Sequence, residues 1–210
     1  MKKLKEILYK VSIEGISGST AIDVGDISID SRDVMKDDMY VAITGTQLDG
    51  HQFIGQAIAS GAKSILCEKL PENLEAAVVY IQVKDTRSAL GWVAANFYDN
   101  PSSQLELIGV TGTNGKTSIA TLLFDLFTLD STSVGLISTM TIQYGENRIT
   151  ATHTTPDPLT INKHLREMVD HGVEYCFMEV SSHGIDQKRI TGLVFKLSLI
   201  HISEPTRLGM

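Results

Sequence analysis

The chain has 210 residues, enough for one large or two small domains, and its 42% apolar and 20% charged residues are those of an ordinary globular protein. A formal net charge of −7 argues against nucleic acid as the main partner. No run approaches the roughly 18 apolar residues of a membrane span. Two cysteines, Cys67 and Cys176, lie in separate apolar runs with no C-x-x-C, which reads as buried free thiols in a reducing compartment and not as a zinc site.

The opening Met1-Lys-Lys-Leu-Lys-Glu-Ile-Leu8 has Lys5 and Glu6 where a secretory leader needs an apolar core. It reads as an amphipathic helix over about 2–10, and the expected location is the cytoplasm. Strand candidates at 39–44, 63–68 and 77–83 alternate with helical patterns at 52–60 and 86–98, the succession of an α/β domain. Asp99-Asn-Pro-Ser-Ser-Gln104 is a turn-rich break, which divides residues 1–100 from a second domain over 101–198. Beyond it the pattern predicts strands at 105–111, 133–138, 175–180 and 193–200, with helices from about 116 and near 158–171. His164 and His171 on the latter helix read as solvent-facing. The expected fold is α/β: a small N-terminal α/β domain followed by an incomplete P-loop-type doubly wound domain with only three or four strands.

Between the strand at 105–111 and its helix stands Gly109-Val-Thr-Gly-Thr-Asn-Gly-Lys-Thr-Ser118. A Gly-rich turn between strand and helix aims backbone N–H groups and the positive end of the helix dipole at an anion. Lys116 can reach the β- and γ-phosphates of a nucleotide, and the Thr117 hydroxyl can bind Mg²⁺. The general pattern would require Gly at 110, where this chain has Val. A structural glycine turn is the alternative to a phosphate site.

The loop Thr111-Gly-Thr-Asn-Gly-Lys-Thr117 resembles the phosphate-loop variant of the Mur ligases, ATP-dependent amide-forming enzymes of peptidoglycan precursor synthesis, which accounts for Val110. Asp30-Ser31-Arg32, Met39-Tyr-Val-Ala-Ile-Thr-Gly45 and Leu48-Asp-Gly-His-Gln-Phe-Ile54 resemble the family's N-terminal UDP-binding domain. Thr154-Thr-Pro-Asp-Pro158 and Met178-Glu-Val-Ser-Ser-His-Gly184 resemble its MurE branch, which joins UDP-N-acetylmuramoyl-L-alanyl-D-glutamate to meso-diaminopimelate or L-lysine. The likeness runs from about residue 20 to about 198.

The resemblance implies ATP and Mg²⁺ as cofactors, an acyl-phosphate intermediate, a UDP-N-acetylmuramoyl-dipeptide and a diamino acid as partners, and a monomer. It implies an ATP site at Gly112, Thr113, Asn114, Gly115, Lys116, Thr117 and Ser118. Lys116 and Glu179 would be catalytic, with Thr117 and Glu179 on the metal. Glu179 closes an apolar strand, where a parallel sheet presents such groups; the bland alternative is a cap on the following helix. Substrate contacts are implied for Ile29, Ser31, Thr46, Gln47, Leu48, Thr154, Thr155, Ser181, Gln187 and Arg189. Thr155-Pro156-Asp157 also reads as a helix start, Ser181 or Ser182 as an N-cap, and Asp30-Ser31 as a turn opener.

Residues 199–210 depart from the family and read as a foreign, artefactual tail, or else as a natural variant ending. The family's second metal ligand, its carbamylated lysine and its amino-acid-binding domain have no counterpart in these 210 residues. The expectation is a fragment inactive alone. The competing readings are a non-catalytic UDP-muramoyl-peptide or nucleotide binding module and a MurF-type ligase.

Overall fold

The computed structural model describes residues 1–45, 48–151 and 153–201, which divide into two compact units, one ending at Phe97 and one starting at Tyr98. In the first unit the elements are β1 (Lys2–Lys3), α1 (Leu4–Ile7), β2 (Ile13–Ser17), β3 (Asp23–Val24), β4 (Ile27–Ser28) and β5 (Met39–Val41). A 3₁₀ turn (Gly50–Phe53) leads into α2 (Ile54–Ser60), followed by β6 (Ser64–Cys67), β7 (Val79–Val83) and α3 (Thr86–Phe97). The main sheet runs β2-β7-β6-β5-β4, parallel except for β2. Strands β5 and β6 are buried at every position, which is why they read as continuous apolar runs without alternation. The helix expected over 2–10 is cut to Leu4–Ile7, because Lys2–Lys3 pairs with β3 and Lys10 turns back at φ 61°.

The second unit opens with a 3₁₀ turn (Pro101–Ser103) and continues with β8 (Glu106–Gly112), α4 (Lys116–Leu129), β9 (Val134–Ile137), β10 (Thr141–Tyr144) and β11 (Asn147–Thr150). It then follows α5 (Pro158–Asp170), β12 (Tyr175–Glu179), α6 (Ser182–Asp186) and β13 (Leu197–His201). Sheet order is β11-β10-β9-β12-β8-β13; the four strands β9, β12, β8 and β13 are parallel, and the β10–β11 hairpin extends the edge antiparallel. Alternate strand residues face opposite helices. Ile108, Val110, Leu136 and Phe177 pack under Ala120 and Phe124 of α4, while Leu107, Cys176 and Met178 pack under Ile161, Leu165 and Met168 of α5. Both faces are thus covered, as in a doubly wound fold.

Three sequence expectations change here. The hairpin over 141–150 was not expected. The last strand begins at Leu197, not at 193, because a turn closed by Leu193 N–H to Ile190 O precedes it, and it runs through His201. His164 does not face solvent: its side chain is 12% exposed, its Nδ1 lies 2.8 Å from Glu167 Oε2, and Glu167 also accepts from the Tyr144 hydroxyl at 2.7 Å. The Glu167 carboxyl is pushed up by burial but pulled below its ordinary value overall by the Tyr144 and His164 hydrogen bonds. Cys67 and Cys176 are free, buried thiols, both pushed up by burial.

Candidate active site

The connection leaving β8 leads to β9 on one side, and the connection leaving β12 leads to β13 on the other. At such a reversal a parallel sheet opens a crevice at its carboxyl ends. Here it is a cleft of about 880 Å³ that holds the loop residues 111–117 together with Thr139, Thr154, Glu179 and Ser181. The loop is shaped by Gly112 and Gly115, at φ 140° and 76°, values that L side chains rarely adopt. Lys116 turns its ammonium back onto the loop, donating to Gly112 O at 2.8 Å and Thr113 O at 3.4 Å. Ser118, predicted with the loop, is exposed on α4 and does not line the cleft.

Glu179 ends β12 with no solvent exposure. Its Oε2 accepts from the hydroxyls of Thr117 at 3.0 Å and Thr139 at 3.1 Å, and its Oε1 accepts from the Thr139 N–H at 2.8 Å. It therefore does not cap the following helix. That task falls to Ser181, whose Oγ accepts from Gly184 N at 3.0 Å. Likewise α5 is capped by Asp157, accepting from Leu159 N and Thr160 N, with Pro158 in its first turn. This leaves Thr155 outside the helix.

Thr155 is only 1% exposed. Its hydroxyl donates to Glu179 O at 3.1 Å, accepts from Ser181 N at 2.9 Å, and lies 3.1 Å from Ser181 Oγ. Arg189 donates to Thr155 O at 2.6 Å and, through Nε and Nη2, to Gln187 Oε1 at 3.0 and 2.7 Å. Thr154 and Ser181 thus stand in the cleft, whereas Thr155, Gln187 and Arg189 form a bonded layer behind Ser181. Gly184 packs against that layer. A Cβ there would lie 2.8 Å from Thr155 Cβ, so Gly184→Ala is expected to cost about 1–3 kcal/mol of stability, read as a lowered midpoint in chemical denaturation.

Thr139 was missed from the sequence. Its only available signal was its place two residues past an apolar parallel strand, at the edge where such sheets carry their chemistry. His201 pairs in backbone register with Gly112 at the same edge.

The first unit has its own pocket, of about 400 Å³, which includes Ile29, Ser31 and Leu48. Thr46 and Gln47 fall outside the described residues. Ser31, 5% exposed, donates to Gln56 Oε1 at 3.2 Å and so orients that amide, which sequence reading did not single out. Tyr40, whose phenol is pushed up to about 12 chiefly by burial, donates to Gly50 O at 3.0 Å and holds the pocket wall. Gly50 is required by close approach: a Cβ would stand 2.8 Å from the backbone of Ile43. His51 is clamped between Asp49 Oδ1, 2.6 Å from Nδ1, and the Glu68 N–H, which donates to Nε2 at 2.9 Å. Leu48-Asp-Gly-His51 is thereby built for wall geometry.

Asp30 does open a turn, accepting from Arg32 N and Arg32 Nε. The Arg32 guanidinium, with that N–H, holds its carboxyl down at about 2, from an ordinary 3.8. A depressed acid adds stability above its unfolded value, and the contribution is lost as pH falls from about 4 toward 2. A carboxyl ¹³C titration of Asp30 is expected to show a midpoint near 2 that rises toward 3.8 in Arg32→Ala. A midpoint near 4 in the parent chain would contradict the bracket.

A glycine loop between strand and helix, a lysine and hydroxyl at its exit, and a buried carboxylate on the neighbouring strand make the arrangement of a P-loop-type α/β fold. Residues 110–203 match the family model of the Mur ligase middle domain, and residues 23–98 match that of the Mur ligase family catalytic domain. The chain belongs to the Mur ligase family. It is 52% identical over 193 residues to UDP-N-acetylmuramoyl-L-alanyl-D-glutamate--2,6-diaminopimelate ligase of Bacteroides fragilis, a match covering 92% of the chain and 40% of that relative. To the ligase of the same name from Clostridioides difficile it is 40% identical over 206 residues, covering 98% of the chain and 42% of the relative. The chain therefore spans about 40% of the length of its relatives. A solved structure of a ligase of that name shares the fold over 100% of this chain and 42% of its own, with a TM-score of 0.78 at 24% identity. Among the described residues no helix is long and apolar enough to cross a membrane.

Proposed function

We propose that the chain forms the UDP-substrate and nucleotide-binding part of an ATP-dependent ligase that joins 2,6-diaminopimelate to UDP-N-acetylmuramoyl-L-alanyl-D-glutamate. The observation carrying this reading is the meeting of the phosphate loop, the Thr117 hydroxyl and the Glu179 carboxylate at the carboxyl ends of β8 and β12. The choice of diaminopimelate is supported by relatives at 40–52% identity that carry that name.

The residues fit a bound Mg²⁺. Glu179 is fully buried, and none of the ion pairs among the described residues includes it; its partners there are neutral hydroxyls and an amide. A buried carboxylate without a cation is costly, and an all-oxygen donor set suits a hard divalent ion. Thr117 Oγ1 and Glu179 Oε2 would hold it. ATP and Mg²⁺ would supply the phosphoryl group that activates the substrate carboxylate as an acyl phosphate, together with charge neutralisation.

The chain's own groups do the rest. Lys116, released from its loop carbonyls, neutralises the phosphate oxygens. The loop amides orient the phosphates in line. Thr154 and Ser181 meet the muramoyl peptide, and Thr155, Gln187 and Arg189 hold Ser181 from behind. In the first unit Ile29, Ser31 and Leu48, with Gln56, receive the uridine moiety through an apolar face and a few fixed donors. A cytoplasmic, monomeric protein goes with this reading.

The test is ligation by the complete protein that contains this chain, supplied with ATP, the UDP-muramoyl-dipeptide and, in separate reactions, diaminopimelate or L-lysine. The expected product is the diaminopimelate-containing UDP-muramoyl-tripeptide, identified by mass, with one phosphate released. No product with either diaminopimelate or L-lysine would sink the ligase reading, and product with L-lysine alone would move the specificity. Tight calorimetric binding of both ligands without turnover would favour a binding module.

A further inference from the structure

We infer that Thr139 is a positioning residue of this cleft: it fixes the Glu179 carboxylate for the metal and ties that carboxylate to Thr154. The inference rests on the nucleotide and metal reading proposed above. Thr139 is the only residue among the described hydrogen bonds that reaches both carboxylate oxygens of Glu179, by N–H to Oε1 at 2.8 Å and by hydroxyl to Oε2 at 3.1 Å. Two-point attachment removes the freedom of a glutamate side chain to swing about its terminal torsions, which a single hydroxyl from Thr117 does not.

Thr139 is itself held. It follows β9 in a tight turn closed by Ser138, whose N–H and hydroxyl both donate to Thr141 O at 2.9 Å while the Thr141 N–H donates back to Ser138 Oγ at 3.2 Å. Ser138 and Thr141 are 1% and 7% exposed. The turn is thus a fixed platform, and the carboxylate is referenced to the strand framework and not to the phosphate loop alone.

The Thr139 hydroxyl donates toward Thr154 Oγ1 at 3.1 Å as it does toward Glu179 Oε2, one proton shared between two acceptors. Thr139 thus links Thr154, on the wall expected to meet the muramoyl peptide, with Glu179, the group expected to meet the metal. A cation held by Glu179 Oε2 would leave the Thr139 hydroxyl to Thr154, whose own hydroxyl proton would then be free for a substrate oxygen.

The experiment measures Mn²⁺ affinity of the 210-residue chain by electron paramagnetic resonance with a non-hydrolysable ATP analogue, and analogue affinity alone in EDTA. Residues that orient a metal-binding carboxylate typically contribute 10–100-fold in metal affinity. Thr139→Val is expected to weaken Mn²⁺ by about that factor while leaving metal-free nucleotide affinity unchanged, and Thr139→Ser is expected to restore it. In a Glu179→Gln background Thr139→Val is expected to add little, because its effect passes through that carboxylate. Parent-like Mn²⁺ affinity in Thr139→Val, equal loss of metal-free nucleotide affinity, failure of Thr139→Ser to restore binding, or undiminished loss in the Glu179→Gln background would each overturn the assignment. Absence of any Mn²⁺–nucleotide binding by the parent chain would overturn the nucleotide reading itself, and this inference with it.

Discussion

Lys116→Ala is expected to lower ATP-dependent turnover of the complete protein by about 10²–10³-fold, the usual consequence of removing one preorganised charge-stabilising donor. The unfolding midpoint of the chain is expected to stay where it is. The reason lies in what Lys116 touches. Among the described residues its ammonium donates only to Gly112 O and Thr113 O, two carbonyls on a solvent-facing loop that water can satisfy equally well. It supports no core residue, so its loss leaves the fold alone while, on the nucleotide reading, a bound triphosphate would lose the loop's own cation. Steady-state kinetics and denaturation on the same variant check both halves. A variant that loses stability together with activity, or loses neither, contradicts the placement.

Phe177→Ala is expected to have the opposite signature. Phe177 is 2% exposed at the centre of β12, under α4, with its ring 5.2 Å from that of Phe127 in an edge-on arrangement. Truncation removes the buried ring and leaves a cavity between sheet and helix, which costs about 3–5 kcal/mol for a phenylalanine. Most of the net stability of a unit this size is of that order. Chemical denaturation followed by the near-ultraviolet signal of the second unit measures the loss. A change under about 1 kcal/mol would mean that the α4 face is loosely packed.

What could be read without coordinates was what is local. A glycine turn between strand and helix is such a feature, and Gly112 and Gly115 do adopt positive φ just before α4 begins at Lys116. The continuous apolar runs of β5, β6, β8, β9 and β12 were equally plain, because burial on both faces leaves no alternation to misread. Thr139 was hidden because its partner lies 40 positions away, and a threonine after a strand resembles any turn residue. The β10–β11 hairpin was hidden because β11 is exposed at all four positions and carries no pattern; the sole cue was the two-residue turn beginning at Gly145, at φ 53°. Thr155 and Arg189 illustrate a different limit. Their residue types suit ligand contact, but only coordinates reveal that one is buried and that the other is bonded to Gln187 and to the Thr155 carbonyl.

Helix α4 starts on Gly115, whose side chain offers no acceptor, and its first internal hydrogen bond runs from Ile119 N to Gly115 O. The amides of the preceding turn have no carbonyl of their own helix to reach. Elsewhere in this chain Asp157 and Ser181 fill the equivalent place with an oxygen. On the nucleotide reading, a phosphate oxygen would cap those amides from outside the chain. Affinity for nucleotide and the stability of this one helical turn are then a single quantity read from two ends. Deuterium uptake at residues 116–118 would fall in step with occupancy, which makes the helix its own reporter of binding.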